Sequence, residues 1–384
     1  MKKIAIIGAS LFQEPLIKKA KDMGLETHVF AWASNDVGEK IADYFYPISI
    51  TEKELILKKC KEIGVDGICT IGSDLATIAV NYVGNSLGLN CNSMECTKIS
   101  TNKHAMRIAF ENNNVPSPKS ILVNSYNDIS NTNLEYPVIV KPTDRSGSRG
   151  INKVYNDEEL KKAIDVAIDV SFENKALIEE YAEGQEYSVE CISFHGTHHF
   201  LAMTKKYTTG EPHFVETGHL EPAPEENFTY MEIQEIVFHA LDSLKITEGA
   251  SHTELKIADD GTIKIIEIGA RMGGDFIGSH LVELSTGIDF VKAVIDVAMN
   301  CEPNIKPKVN HTAYVHFIFD KNDLHLLNEI KKEHPDYLIY EEIHEITNVD
   351  VNDSSKRHGY YILCSKSINK FIDFIVEKRC VYLP

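Results

Sequence analysis

The sequence predicts an α/β chain, α+β in its later part, that begins with a Rossmann-like parallel-sheet domain. Three observations carry that expectation. Apolar runs at Lys3–Ile7, Glu26–Phe30 and Gly67–Ile71 alternate with helical patterns at Gln13–Met23 and Glu52–Ile63, and strand–helix alternation implies a parallel sheet covered on both faces. A buried-strand run, Tyr136-Pro137-Val138-Ile139-Val140, ends in Lys141-Pro142 and opens a glycine-rich loop. Further on, Asp260-Gly261 joins two alternating segments, the pair favoured in a tight β-hairpin.

At 384 residues the chain has room for two or three domains. Its formal charge of −18 lacks the basic stripe of a nucleic-acid surface, although lysines and backbone N–H groups can still bind a phosphate locally. The eight cysteines are scattered without a C-x-x-C pair or zinc spacing, so neither a disulfide framework nor a zinc site is expected. Met1-Lys2-Lys3 followed by a short apolar run reads as a first strand rather than a signal peptide. No stretch approaches a membrane span, and the cytoplasm is the default expectation.

The turn after the first strand, Gly8-Ala9-Ser10-Leu11-Phe12-Gln13, keeps only the first glycine of a dinucleotide fingerprint. That disfavours a dehydrogenase. A helix is predicted from near Thr101, with Lys103 in its first turn, to the Asn112-Asn113-Asn114 run. After the Lys141 strand comes Ser146-Gly147-Ser148-Arg149-Gly150. Asn156-Asp157-Glu158-Glu159 then opens an amphipathic helix, with its acidic residues at the positive end. Strands follow at Ala176–Glu180 and Tyr187–Phe194 around Gly184, then a helix near Glu232–Leu244, a hairpin near Thr253–Ile268 and a helix at Asp289–Met299. His195-Gly196-Thr197-His198-His199 resembles a metal tract but reads as a solvated hairpin turn. The tail from His311 returns to strands.

The hairpin is the most informative segment. With Asp260 and Gly261 as a two-residue loop, Asp259 faces Thr262, Lys256 faces Ile265, Glu254 faces Glu267 and His252 faces Gly269. Opposed side chains have β-carbons about 4.5–5.5 Å apart, and like charges there are destabilising. Two facing carboxylates want a cation, and a hard, oxygen-coordinated ion such as Mg²⁺ (or Mn²⁺) suits them, with substrate phosphates completing its shell. Lys141, at the end of an apolar strand, likewise wants an anion. The glycines and hydroxyls of Ser146, Gly147, Ser148 and Gly150 are suited to cradle a phosphate.

Taken in order along the chain, these motifs resemble the ATP-grasp superfamily. The resemblance implies an ATP-grasp architecture: a Rossmann-like domain over 1–96, a central helix plus lid over 97–190, a catalytic subdomain over 191–310 and a small C-terminal subdomain over 311–384. It implies ATP and Mg²⁺ as cofactors. Lys103 and Lys141 would contact phosphates beneath the closing glycine loop. Glu179 would lie by the adenine amino group, the backbone of Glu180 and Ala182 would read the adenine edge, and Glu186 would accept the ribose hydroxyls. Glu254 and Glu267 would hold the metal. Arg271 would act with Lys141 on the transferred phosphoryl group or acyl phosphate, in keeping with a chemistry of positioning and charge neutralisation.

One position departs from the family. Where E-x-N-x-R is usual, the sequence has Glu267-Ile268-Gly269-Ala270-Arg271, and Gly269 cannot ligate a metal. His252 opposite, or a water, is a candidate to fill the gap; substrate binding or simple packing is the other reading of His252. The polar segment His213 to Pro224 is similar to the substrate loop of the L-amino-acid ligase and dipeptide synthase branch, which makes Glu216, His219 and Arg271 candidates for holding an amino-acid-like substrate. The implied reaction joins a small carboxylate to an amine through an acyl phosphate. A bicarbonate-using carboxylase, a purine-pathway ligase and an inactive nucleotide-binding regulator stay open as alternatives. The sequence leaves the oligomeric state open, a homodimer included.

Overall fold

Ile4, Ala5, Ile6 and Ile7 are all fully buried, as a strand covered on both faces requires. They belong to β1 (Lys3–Ile7), which pairs in parallel with β2 (Glu26–Phe30). β2 in turn pairs with β3 (Tyr44–Tyr46), and β4 (Gly67–Cys69) closes the other side of β1, in the order β3-β2-β1-β4. This is the expected Rossmann-like sheet, with its last strand ending at Cys69 rather than Ile71. The computed structural model describes residues 1–129, 132–145, 149–211, 214–346 and 353–378.

A second, antiparallel sheet contains β5 (Ser120–Val123), β6 (Val138–Pro142), β7 (Asn152–Val154) and β8 (Ala176–Glu180) in the order β5-β8-β6-β7. The helix Asp157–Val170 covers it: Leu160, Ala163, Ile164 and Ala167 pack with Val138, Val140 and Ile178. That helix starts where expected, with the Asn156 side chain accepting from the Glu159 N–H.

The third sheet is the largest. It contains β9 (Gln185–Phe194), β10 (Thr197–Thr208), β11 (Glu216–Glu221), β12 (Gly249–Ile257), β13 (Ile263–Gly269), β14 (Thr312–Phe317), β15 (Leu338–Ile343) and β16 (Gly359–Ser365). Their order is β13-β12-β9-β10-β11-β14-β16-β15. One expected boundary changes. The division at 190/191 falls inside β9, so the change of sheet between β8 and β9 is the structural divide. The tail from 311 returns to strands, as expected, and adds three of them to this same sheet, with Leu327, Ile330 and Phe371 packed on Tyr314 and Leu363. His195 and Gly196, both at positive φ, make the β9–β10 turn. No helix among the described residues is long and apolar enough to cross a membrane.

Candidate functional site

Strand alternation gives β9 two unlike faces. Tyr187, Val189 and Cys191 join Met203, Leu255 and Ile265 in a core under the helix Tyr230–Ser243. On the other face Ile192, Ala202 and Ala250 pack against the N-terminal domain. Farther along that face the residues become ionic: Glu190 and Glu186 on β9, His252 and Glu254 on β12, Lys206 on β10. A polar residue at every second position on three adjacent strands makes a charged floor, and period two is what aligns it.

Glu254 and Glu267 face each other on this floor, as expected, but through two departures that cancel. The turn holds three residues, not two: Ala258 N donates to Thr262 O, and Gly261 takes φ 84°, a common three-residue hairpin form. Asp259 therefore does not face Thr262, and Lys256 faces Lys264 instead of Ile265. A bulge then leaves Ile266 as an extra residue of β13 and restores the register before Glu267.

Each of these carboxylates meets a lysine. Lys103, in the first turn of the helix Lys103–Asn112 capped by Asn102, reaches Glu267 Oε1 at 2.6 Å and donates to the Arg145 carbonyl at 2.9 Å. Lys206 lies between Glu186 Oε1 at 2.6 Å and Glu254 Oε1 at 2.8 Å. Burial works against the charge of Lys206, but these carboxylates outweigh it and hold its ammonium well above the usual lysine value.

Lys141 is paired deeper in. Its Nζ is 2.6 Å from Glu179 Oε2, and Arg107 Nε approaches the other oxygen at 2.9 Å as an ion pair lacking hydrogen-bond alignment. All three side chains are buried, so one carboxylate serves two cations. Burial pushes the Lys141 ammonium below its ordinary value, with Glu179 opposing. Glu179 thus holds Lys141 and Arg107 and also lines the cleft that they border.

Lys141, Glu179, Lys206, Glu254 and Glu267 border an open cleft. Ile139, Ile151, Phe214 and Ile266 give it apolar walls, and Lys141, Lys206, Glu254 and Glu267 give it an ionic end. Glu180, Ala182, Glu186 and Glu216 also line it. Gly150 closes the turn before β7 at φ 74°. Ser146, Gly147 and Ser148 lie outside the described residues.

Arg271 lines a different cavity, of about 460 Å³, with Thr70, Asn81 and Asn92. Its guanidinium holds Asp74 in a two-pronged pair, Nε to Oδ1 at 2.9 Å and Nη2 to Oδ2 at 3.1 Å. His252 has Nδ1 against Glu190, which also accepts from Gly273 N at 3.0 Å, and Nε2 at 3.5 Å from Glu254. Burial disfavours the imidazolium, but Glu190 and Glu254 raise its pKa to about 9. Both ring nitrogens of His252 thus face carboxylates.

On the opposite side, Glu216 accepts from Arg357 Nη2 at 2.8 Å, and Arg357 Nη1 donates to Asp275 at 2.8 Å. His219 does not line the cleft. It is buried beside Asp275, with Nε2 at 3.8 Å, and burial lowers its pKa.

Glu221, fully buried on β11, accepts from Thr204 Oγ1 and Ser285 Oγ, each at 2.7 Å. With no cation beside it, burial pushes its pKa from 4.5 up to about 8. The folded state therefore holds the proton more tightly than the unfolded chain. The stabilisation is complete below pH 4.5 and is lost as pH rises to about 8. Glu221→Gln is expected to flatten that part of the melting-temperature profile and to melt above the parent protein at pH 9; parallel profiles for the two proteins would contradict the assignment.

A protein-family model described as an ATP-grasp domain matches residues 134–279, the segment that runs from the Lys141 strand through both metal-candidate glutamates to Arg271. The chain carries an ATP-grasp domain. Among curated relatives, alanine–anticapsin ligase of Bacillus subtilis is 26% identical over 298 residues, covering 68% of this chain and 62% of that protein. Human carnosine synthase 1 is 22% identical over 337 residues, covering 79% of this chain and 40% of that one. The chain thus spans less than two thirds of the length of these relatives. Among solved structures, an L-amino acid ligase from Bacillus licheniformis superposes with a TM-score of 0.83 at 23% identity, over 99% of this chain and 97% of that one. N5-carboxyaminoimidazole synthetase from Staphylococcus aureus, complexed with ADP, gives 0.79 at 15% identity, over 98% and 96%. At these identities the structures speak for the fold.

The cleft of the ATP-grasp domain fits a magnesium nucleotide on its own terms. Its apolar walls suit a flat base and its cationic end suits phosphates. Two hard carboxylates in register suit Mg²⁺. Several residues of the ATP-grasp site escaped sequence reasoning. Lys206 and Glu190 signal themselves only as the polar members of strand alternation, whereas Arg107, Asp74 and Arg357 come from other elements and leave no local signal.

Proposed function

We propose that this protein is an ATP-dependent carboxylate–amine ligase. A substrate carboxylate oxygen attacks the γ-phosphorus of ATP, ADP leaves, and an amine then displaces phosphate from the acyl phosphate to form an amide or peptide bond. The observation that carries this reading is the Glu254–Glu267 pair, each carboxylate matched to a lysine, at the ionic end of an apolar-walled cleft. The ligase relatives named above support it, and they favour amino acids as substrates.

Glu254 and Glu267 would hold Mg²⁺, which supplies charge neutralisation to the phosphates when bound. Lys103 and Lys141 bind phosphate oxygens, and Lys206 keeps Glu186 and Glu254 in place. Ile139 and Ile266 border the base, with the backbone of Glu180 and Ala182 along its edge and Glu186 toward the ribose. Arg271 stabilises the negative charge that develops around the reacting carboxylate. Glu216, held by Arg357, faces the cleft and suits a substrate ammonium.

Phosphate release from ATP, Mg²⁺ and pooled amino acids, with products resolved by mass spectrometry, tests the reading. Amino-acid-dependent ADP formation with a new amide product is expected, and Mn²⁺ is expected to replace Mg²⁺. ADP release that depends on bicarbonate instead would move the assignment to a carboxylase, and ATP binding without turnover would move it to a regulator.

A further inference from the structure

Gly269 is the position where the sequence lacks the usual side chain, and the structure shows what stands there. A β-carbon built on Gly269 would lie 2.8 Å from Asp74 Oδ1, 3.0 Å from Arg271 Cζ and 3.1 Å from Arg271 Nε. The notch above Gly269 is therefore filled by the Asp74–Arg271 ion pair. Asp74 arrives from the N-terminal domain, at the first position of the helix Asp74–Leu87, whose cap Ser73 accepts from Ala76 N. A second tie joins the same two segments, with Gly72 N donating to Met272 O at 3.3 Å.

We propose that Asp74 is the positioning residue of Arg271, and that it takes, from another domain, the space that a side chain at position 269 would fill. A free arginine on a glycine-rich turn has many rotamers. Two parallel bonds to one carboxylate leave it few, and planar two-pronged pairing fixes orientation as well as distance. Asp74 orients rather than ligates: both of its carboxylate oxygens accept from Arg271. The N-terminal domain in this way completes the ATP-grasp site, and Gly269 is glycine because the pair needs its space. The inference rests on the ligase reading only for the role of Arg271; the Asp74–Gly269 coupling stands apart from it.

The test is a double-mutant cycle of Asp74→Ala and Gly269→Ala, with Asp74→Asn as the conservative variant. Asp74→Ala is expected to lower kcat by roughly 10- to 100-fold, the scale of one charge-assisted contact, while KM for ATP stays within about twofold because nucleotide and metal groups are untouched. Asp74→Asn, which keeps one bond, is expected to fall between. Gly269→Ala is expected to be damaging in the parent protein and less so once Asp74 is alanine, because the shortest contact is then gone and the unpaired Arg271 can move aside. Parent-like kcat in Asp74→Ala, or losses that multiply in the double variant, would overturn the proposal. A loss of kcat matched by an equal loss of ATP affinity would also overturn it, since that reports general damage. The cycle is read as well in melting of the ligand-free protein. If the parent forms no product with any amino acid, the ligase reading fails; subadditive melting shifts still support the coupling, and additive shifts refute it.

Discussion

Replacing Glu267 by glutamine is expected to lower ADP formation by about 100-fold or more, on the scale of losing a preorganised electrostatic group, while the protein melts near its parent temperature. The substitution removes charge and leaves volume unchanged. Its stability effect is small because the Glu267 side chain is 29% exposed and its pair with Lys103 is partly screened. Its catalytic effect is large because Glu254 becomes the sole carboxylate for the ion, and Lys103 is left without its counter-charge. Raising Mg²⁺ is expected to restore part of the rate, as a weakened site fills by mass action. Mn²⁺ binding measured by electron paramagnetic resonance reads the same loss independently of turnover. Parent-like rates at ordinary Mg²⁺ would remove Glu267 from the metal site.

The second large effect separates two residues in contact. Glu179 serves Lys141 and Arg107, so Glu179→Ala strands two buried cations and is expected to cost about 3–5 kcal/mol of stability, the range for breaking a buried ion pair. Lys141→Ala leaves Glu179 and Arg107 as a neutral pair, and its stability loss is expected to be far smaller. The affinities follow the opposite logic. With two cations on one carboxylate, the buried cluster has a surplus positive charge beside the cleft, as a phosphate site requires. Lys141→Ala is accordingly expected to weaken ATP binding by roughly 10- to 100-fold. Urea denaturation and calorimetric ATP titration of both variants check the contrast. Equal stabilities for the two variants would contradict the buried-pair reading, and unchanged ATP affinity in Lys141→Ala would remove that lysine from the phosphate site.

Much of this was legible from the chain. The Rossmann-like sheet followed from strand–helix alternation, and the helix carrying Lys103 was placed between a start near Thr101 and the asparagine run at its end. The facing of Glu254 and Glu267 was legible for a less direct reason. Parity placed them on one face, but the assumed two-residue loop was wrong by one and the Ile266 bulge corrected it by one. Bulges depend on what an irregular backbone can bond to, here Arg107 on a separate helix, and no local pattern announces that.

The partners of Glu179 and His252 were hidden for a related reason. A sequence gives a side chain its chemistry but not its partners, and both residues pair with groups distant in the chain. Arg107 meets Glu179 across 72 residues, and Glu190 meets His252 across 62.

By itself, the sequence determined which elements form and which side of each strand is ionic, because period, caps and turn residues act within a few residues of one another. It thereby placed two acids, two lysines and an arginine in the order of an ATP-grasp site. The tertiary structure alone decided which charges neutralise which: Lys206 with Glu254, Lys141 with Glu179, Asp74 with Arg271, Arg357 with Glu216. Charge pairing depends on distance through space. Asp74 and Arg271 stand 197 positions apart in the chain and meet only because the N-terminal sheet docks where Gly269 leaves room.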